Sequence, residues 1–543
     1  MFLNFFSGLL NNLDWPSFIV VTLLSFFGLA FVFVPLFNYF WKNVNLSWLN
    51  YSTLFIVITL PFERLPSLEL FNFTIRFSQL FTLLSLALFI ALLAQGKLQN
   101  HKWNPLGYWL FALVIASLPS LFFVEDWSRF ASTFVATIIV FLAAFLISNF
   151  LISKKLAFLG LIVSLFLVSI FGYFQLFADL LGLPTSVTFL KETYTRKVFG
   201  FPRVHSTAAE PLYFAGMLFL PIYASLLFYL KSITNLQFFT KLKSNLNSKL
   251  GSDFSNTFLT TFSKFYPLLI LINLVKNVPK YIADLALGFL IFFSILFTIT
   301  IAKGAWLALL IGLVFLSLFT WKKFDWLPLI SKLILAICLA LPVLYISSLT
   351  FSPVQQSLNK VVQNFSETAS GVSSTSTERA NFQDLAISLL SENIVTGIGS
   401  GQYGIISERP LRSLKTSNDQ FFIVNNVYLE IWLEEGLLFL FIFLAMWLWV
   451  IISSLQKLYK LQKLSVENIM ELSIVIAIIS YLIQWQTFSP IYIMPIFILL
   501  GLAANFNQFV FPKLEVINLN KKPNDNPDSN ASIPPSINLN QQV

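Results

Sequence analysis

From residue 17 to residue 510 the chain repeatedly presents runs of about 20 mostly apolar residues, the length an α-helix needs to cross the hydrocarbon of a bilayer. Hydrocarbon offers a backbone no hydrogen bonds, so a spanning segment is either a helix or part of a closed barrel. These runs are continuously apolar rather than alternating, which selects helices. The candidates are 17–40, 50–61, 75–94, 105–124, 128–150, 156–181, 207–230, 281–300, 304–320, 328–351, 427–452, 469–488 and 490–510. The second is short and ends at Pro61, so the chain is expected to be an all-α, polytopic transmembrane bundle of about 12 or 13 spans. The segment from Tyr266 to Val275 is too short to cross and is expected to lie at the interface. Composition agrees: 57% of residues are apolar and 11% charged, where soluble domains run at about half and a quarter.

Several function classes fall away. The single cysteine, Cys338, excludes a disulfide framework. Two histidines, His101 and His205, cannot make a Cys/His metal cluster, and no Asp-x-Asp-type metal site is visible. The net charge of +9 reads as lysines on cytoplasmic loops rather than as a nucleic-acid surface. No basic region precedes the first apolar stretch, so no cleavable signal peptide is expected.

Lysine sets the orientation. Lys154, Lys155, Lys231, Lys241, Lys243, Lys249, Lys322, Lys323, Lys457, Lys460, Lys463, Lys521 and Lys522 fall in alternate connections. Those connections are expected to be cytoplasmic, together with the C-terminus. The domains are then an N-terminal bundle, 1–351, an extracytoplasmic loop, 352–426, C-terminal spans, 427–514, and a disordered tail, 515–543. Arginine runs the other way. Arg64, Arg76, Arg129, Arg196, Arg203, Arg379, Arg409 and Arg412 all fall on or near the outer side. Guanidinium is the preferred bidentate partner of phosphate, so the set suggests an anionic substrate there. Each arginine taken singly reads equally well as a headgroup anchor or a partner of an acid such as Glu63 or Glu378.

The long outer loop carries an amphipathic helix beginning near Thr377, with Phe382, Leu385, Ala386, Leu389 and Leu390 on its apolar face and Arg379, Gln383 and Asn393 off it. Gly397, Gly399, Gly401 and Gly404 follow; such a turn is a weak phosphate-binding signal and more simply a helix stop. The next helix opens with Asn425 and Asn426 as capping residues. Asn426, Glu430 and Glu434 share one face, and carboxylates this close to a membrane need a partner or a watery cavity. A second polar patch holds Arg196, Arg203 and His205 and leads to Glu210, placed to cap a helix that starts with Pro211. Lys303 opens a further span, where a lone lysine is more often a snorkelling anchor than a ligand.

These pieces resemble the O-antigen ligase and O-antigen polymerase superfamily of bacterial membrane glycosyltransferases. The stretch NNVYLEIWLEEGLL is similar to its His-Asn-x-Tyr-Leu signature, and ERANFQDLAISLLSENIVTGIGSGQYG to its Arg-led loop helix ending in a Gly-rich turn. PFERLPSLELFNFTIRFSQ, AEPLYFA and TIAKGAWLALLIGL add to the likeness, which covers most of residues 50–510. There are two departures: Asn425 stands where the family has histidine, and Lys303 where it has arginine.

The resemblance implies a GT-C-like bundle in the bacterial inner membrane with one large extracytoplasmic loop. It implies transfer of a glycan from a polyprenyl-pyrophosphate donor to an acceptor glycan or glycolipid among membrane lipids, without cofactor, and with polysaccharide export or chain-length proteins as possible partners. Arg379, Lys303, Arg203 and Arg196 are the candidates for neutralising the donor pyrophosphate. Glu430, Glu434, Glu210 and His205 are the candidate bases, in no settled order, with Asn425 orienting the acceptor. The family histidine acts as base in ligases; a neutral amide in its place shifts the expectation from ligase to polymerase. A transporter, for example of inorganic carbon, and a catalytically inactive relative are the other readings; no internal repeat of the transporter kind is visible.

Overall fold

The structure, a computed structural model, describes residues 45–63, 67–70, 73–99, 101–199, 201–249, 266–324, 326–327, 330–331, 374–391, 393–407, 423–461, 464–489 and 493–507. It is a polytopic helical bundle. The helices are α1 (Leu46–Thr59), α2 (Phe77–Ala94), α3 (Leu106–Ser117, continued by a 3-10 turn to Phe123), α4 (Trp127–Phe150), α5 (Lys154–Leu180), α6 (Pro211–Lys249), α7 (Tyr266–Ile299), α8 (Lys303–Thr320), α9 (Ser374–Leu390), α10 (Val427–Glu435), α11 (Leu437–Tyr459), α12 (Val466–Gln484) and α13 (Met494–Asn507). Among the described residues eight helical segments are long and apolar enough to cross a membrane. The predicted spans 17–40 and 328–351 lie outside the described residues, apart from Ile330 and Ser331, as does the tail from 515.

Three elements differ from those expected. Tyr266–Val275 is not a separate segment but the first part of α7, which runs on through Pro279. The predicted span 427–452 is broken at Gly436 into α10 and α11. Gly436 has φ +89°, and a Cβ there would collide with the Val395 carbonyl, so the break marks where the loop backbone presses against the helix. The third is a short antiparallel hairpin, β1 (Ser67–Leu70) with β2 (Phe73–Arg76), pairing Ser67 with Arg76.

Packing ranks the helices. α6 (over Pro211–Thr234) and α12 are the most deeply buried spans and form the centre, while α2, α3 and α8 turn most of their surface outward. Leu310, Val314 and Leu318 of α8 and Leu83, Ile90 and Leu93 of α2 are exposed, as a lipid-facing surface requires. Small residues let the central helices approach. Gly312 of α8 sits against the Tyr223 hydroxyl of α6 and the Ser480 hydroxyl of α12, which are 2.6 Å apart.

The two ends of the bundle differ in chemistry. At one end lysines meet helix termini. Lys323 donates to the carbonyls of Leu458 (2.7 Å) and Leu461 (2.6 Å), and Lys457 pairs with buried Glu471 (2.8 Å) and the Phe506 carbonyl (3.0 Å). Lys155 pairs with Glu467 at 2.9 Å. At the other end lie Arg76, Arg129, Arg196 and Arg203, around the starts of α2, α4, α6 and α8. Cations at helix C-termini are favourably placed against the backbone dipole.

The packing at Gly312 yields a test. Gly312→Val should push α8 away from α6 and α12, costing about 1–3 kcal/mol as overpacking does. Thermal unfolding of detergent-solubilised protein should show a lowered midpoint for Gly312→Val, and none for Gly288→Ala, where a Cβ meets nothing within 4 Å.

Candidate active site

At the arginine end the loop helix, the Gly-rich turn and α10 form one unit. α9 starts at Ser374, a few residues before the expected boundary. Its apolar face is as the periodicity predicts: Ala386 and Leu390 are buried with Ile398, Tyr403, Val424 and Leu433. The Tyr403 hydroxyl donates to the Phe382 carbonyl at 2.7 Å, pinning the turn to the helix. The side chain of Arg379 lies outside the described residues, although its place in α9 is defined.

The Gly-rich turn offers no open phosphate cradle, because α10 takes its N–H groups. Ile398 and Gly399 donate to the carbonyls of Leu433 and Glu434, both at 2.9 Å. Gly401 and Tyr403 donate to the Glu434 carboxylate at 2.7 and 3.1 Å. Gly397, at φ +73°, lies so close that a Cβ would collide with the Glu434 carbonyl. Ser400 donates to the Glu435 carboxylate. Gln402 ties the same turn to the start of α4, accepting from the N–H groups of Glu125 (3.1 Å) and Asp126 (2.9 Å). Arg129 donates from Nε to the Gly401 carbonyl at 2.7 Å, next to Glu434 and Glu430.

α10 is capped as the sequence indicates. Asn426 accepts from Tyr428 N (3.0 Å) and Leu429 N (3.2 Å). Asn425 has φ +60° and donates to the Ile423 carbonyl at 3.2 Å. Asparagine and histidine are both enriched in this left-handed region, so the backbone suits either residue at the family position. Glu430, Glu434 and Glu435 are buried on α10, outside the apolar span that begins at Leu437. Burial raises the affinity of all three for a proton, and that of Glu435 is pushed up to about 8. Glu434 is partly held down by its two N–H donors and by Arg129. Burial first, then the charge of Glu434, raises the proton affinity of Glu430; hydrogen bonds from the Ser489 hydroxyl and the Val424 N–H, and the charge of Arg129, hold it down. One Glu430 oxygen, Oε2, has no hydrogen-bond partner among the described residues.

The second patch packs alongside. Glu210 precedes Pro211 and its carbonyl accepts from Phe214 N at 3.2 Å. His205 is buried, with Nδ1 3.0 Å from the Ala208 carbonyl and its ring edge-on to Tyr194. Arg203 lies over the Tyr194 ring and reaches the carbonyls of Thr300 and Ile301 at 3.4 Å. This brings it to the start of α8, where Lys303 is exposed. Arg196 is instead drawn to the end of α5: its N–H donates to Asp179 (2.9 Å) and its guanidinium to the Leu180 carbonyl. The segment after α12 joins the two patches. Ser489 accepts from Tyr213 of α6 at 3.1 Å through its carbonyl, and its hydroxyl faces Glu430.

Two further residues enter the site without having been singled out from the sequence. Arg129 was one outer arginine among eight, and its place at the first turn of α4 was its only signal. Glu63 was named only as an acid near arginines; the hairpin pairs it with Arg76 at 3.0 Å.

A family model described as O-antigen ligase matches residues 288–444. That segment, under a third of the chain, is similar to the O-antigen ligase family. It spans α8, α9 and α10 and holds Lys303, Arg379, Asn425, Glu430 and Glu434, while Glu63, Arg129, His205 and Glu210 lie before it. No curated protein matches the chain. Residues 288–444 are therefore similar to an O-antigen ligase domain, set in a chain with several membrane-spanning helices.

The turn's dependence on Glu434 can be measured. Glu434→Ala removes two charge-assisted hydrogen bonds from a buried site, a loss of about 2–5 kcal/mol. Hydrogen exchange at residues 399–403 should accelerate in Glu434→Ala and stay near wild type in Glu430→Gln.

Proposed function

We propose that the chain is a polymerase-type glycosyltransferase that acts at the outer face of the bacterial plasma membrane. The observation that carries this reading is Glu430, a buried carboxylate with an open oxygen, on the helix that starts two residues after Asn425, where the resembled family has histidine. In this reading the acceptor hydroxyl oxygen attacks the anomeric carbon of the donor, the bond from that carbon to the pyrophosphate oxygen breaks, and the hydroxyl proton passes to Glu430. The pyrophosphate leaves on its polyprenyl carrier. A carboxylate whose proton affinity is raised toward neutrality suits a general base.

Arg379 is the first candidate for the pyrophosphate, with Arg203 and Lys303 near one another at the start of α8. Arg196 has the weaker claim, since its guanidinium serves the end of α5. Glu434 is best read as a positioning residue, because both its oxygens hold the Gly-rich turn. Glu210 and His205 remain candidates on the acceptor side, and Asn425 is placed to orient an acceptor hydroxyl. The lysine-rich end and the C-terminus are then cytoplasmic, and residues 1–351, 352–426 and 427–514 are the membrane bundle, the outer loop and the closing spans.

The reading is tested first in a deletion strain. A strain lacking the chain should accumulate lipid-linked single repeat units; accumulation of long chains would mean a ligase. In that strain, Glu430→Gln should lower transfer by about 10²-fold, the scale of a lost general base, at normal membrane levels. Arg379→Lys should fail as Arg379→Ala does, since a point charge cannot make two parallel hydrogen bonds. The side of the membrane is tested separately. With Cys338 replaced, an impermeant thiol reagent on intact cells should label Ser373→Cys and Thr193→Cys but not Ser244→Cys. The reverse pattern would refute the orientation.

A further inference from the structure

A second centre of unsatisfied polar groups lies beside the transfer site, on elements before the matched family domain. Glu63 follows α1 and is 5% exposed. One of its carboxylate oxygens pairs with Arg76 at 3.0 Å, and the other, Oε2, has no hydrogen-bond partner among the described residues. The Tyr481 hydroxyl, on a side chain 2% exposed, is close enough to feel the charge of Glu63 and also has no partner among the described residues. The Ala209 N–H hydrogen-bonds the Glu63 carboxylate, and the charge of Glu210 lies nearby. Three helices build it deliberately close. Gly216 of α6 presses on the Tyr481 ring, and Thr207, just before α6, donates to the Pro61 carbonyl at 2.5 Å.

Buried polar groups in folded proteins are almost always satisfied, so a carboxylate oxygen and a phenol left open together call for a polar partner, a water or a ligand hydroxyl. The open atoms continue along α12 toward Glu430. Gln484 donates to the Leu212 carbonyl at 2.9 Å, but its Oε1 has no partner among the described residues, nor does Trp485 Nε1. The ligand must offer both donors and acceptors, as a hydroxyl does and a phosphate does not. Two carboxylates, Glu63 and Glu210, against one cation, Arg76, also disfavour an anion.

We propose that Glu63 and Tyr481 line a sugar subsite of the transfer site, where Glu63 Oε2 and the Tyr481 hydroxyl hydrogen-bond the hydroxyl groups of an uncharged saccharide ring. Arg76 fixes the carboxylate through its other oxygen. The assignment rests on the transfer reading above and extends it. It separates the substrate into a pyrophosphate end, met by the arginines and Lys303, and a glycan end met by Glu63.

The test uses the purified full chain in detergent and two probes. One is the repeat-unit oligosaccharide released by mild acid from the lipid-linked donor of the deletion strain; the other is geranyl pyrophosphate. Calorimetric titration should show that Tyr481→Phe and Glu63→Gln each weaken oligosaccharide binding by about tenfold, the scale of a lost hydrogen bond to a ligand. Geranyl pyrophosphate binding should stay within about twofold of wild type. Tyr481→Phe deletes only a hydroxyl without a partner, so its thermal midpoint should be equal to or above wild type. In transfer assays both variants should raise KM for the acceptor or donor glycan more than they lower kcat. Wild-type oligosaccharide affinity in both variants, with the wild-type enzyme active, would overturn the subsite and leave the transfer reading intact. Absence of oligosaccharide binding and of transfer in the wild type would overturn both.

Discussion

Hydrocarbon gives a polar group no partner, and this one constraint orders the molecule. It makes each spanning segment a helix with its backbone bonds internal. Among the described residues it also leaves irregular backbone and most charges at the ends of the bundle. The ends are therefore where chemistry is found, and the two ends are unlike. One fastens helix termini with Lys323 and Lys457. The other gathers guanidinium groups, buried carboxylates and a turn held by Glu434.

At the second end, the same buried carboxylate chemistry serves two purposes. Glu434 and Glu435 meet N–H or O–H donors of the Gly-rich turn and so fix the loop against α10. Glu430, one helical turn earlier, keeps an open oxygen. Their contrast shows why position on a helix face does not decide role. Asn426, Glu430 and Glu434 share one stripe, yet one caps the helix, one is open and one is a staple.

The Gly-rich turn repays the same comparison. A run of glycines is compatible with phosphate binding or with a helix stop, and its free N–H groups decide between them. Here those groups point at the protein's own carboxylate and carbonyls. The turn therefore positions α9, and with it Arg379, rather than binding an anion through its backbone.

Much was legible in the sequence because its causes are local. Apolar run length set the spans, the 3.6-residue period set the buried face of α9, and Asn426 and Pro211 marked the starts of α10 and α6. The Arg-led helix, Asn425 and the two glutamates also stood out, because they fall in contiguous stretches. What the sequence could not show were the meetings of distant segments. Arg129 reaches Gly401, 272 positions away, and Tyr213 reaches Ser489, 276 positions away. Glu63 meets Arg76 only because a short hairpin turns the chain back, and it meets Tyr481 only because α12 packs at the centre beside α6. Nor did the sequence reveal that α10 stops at Gly436, where the Val395 carbonyl lies too close to leave room for a Cβ. Secondary structure here answers to local pattern and to the bilayer, whereas which carboxylate is left open answers to which donors tertiary packing brings within about 3 Å.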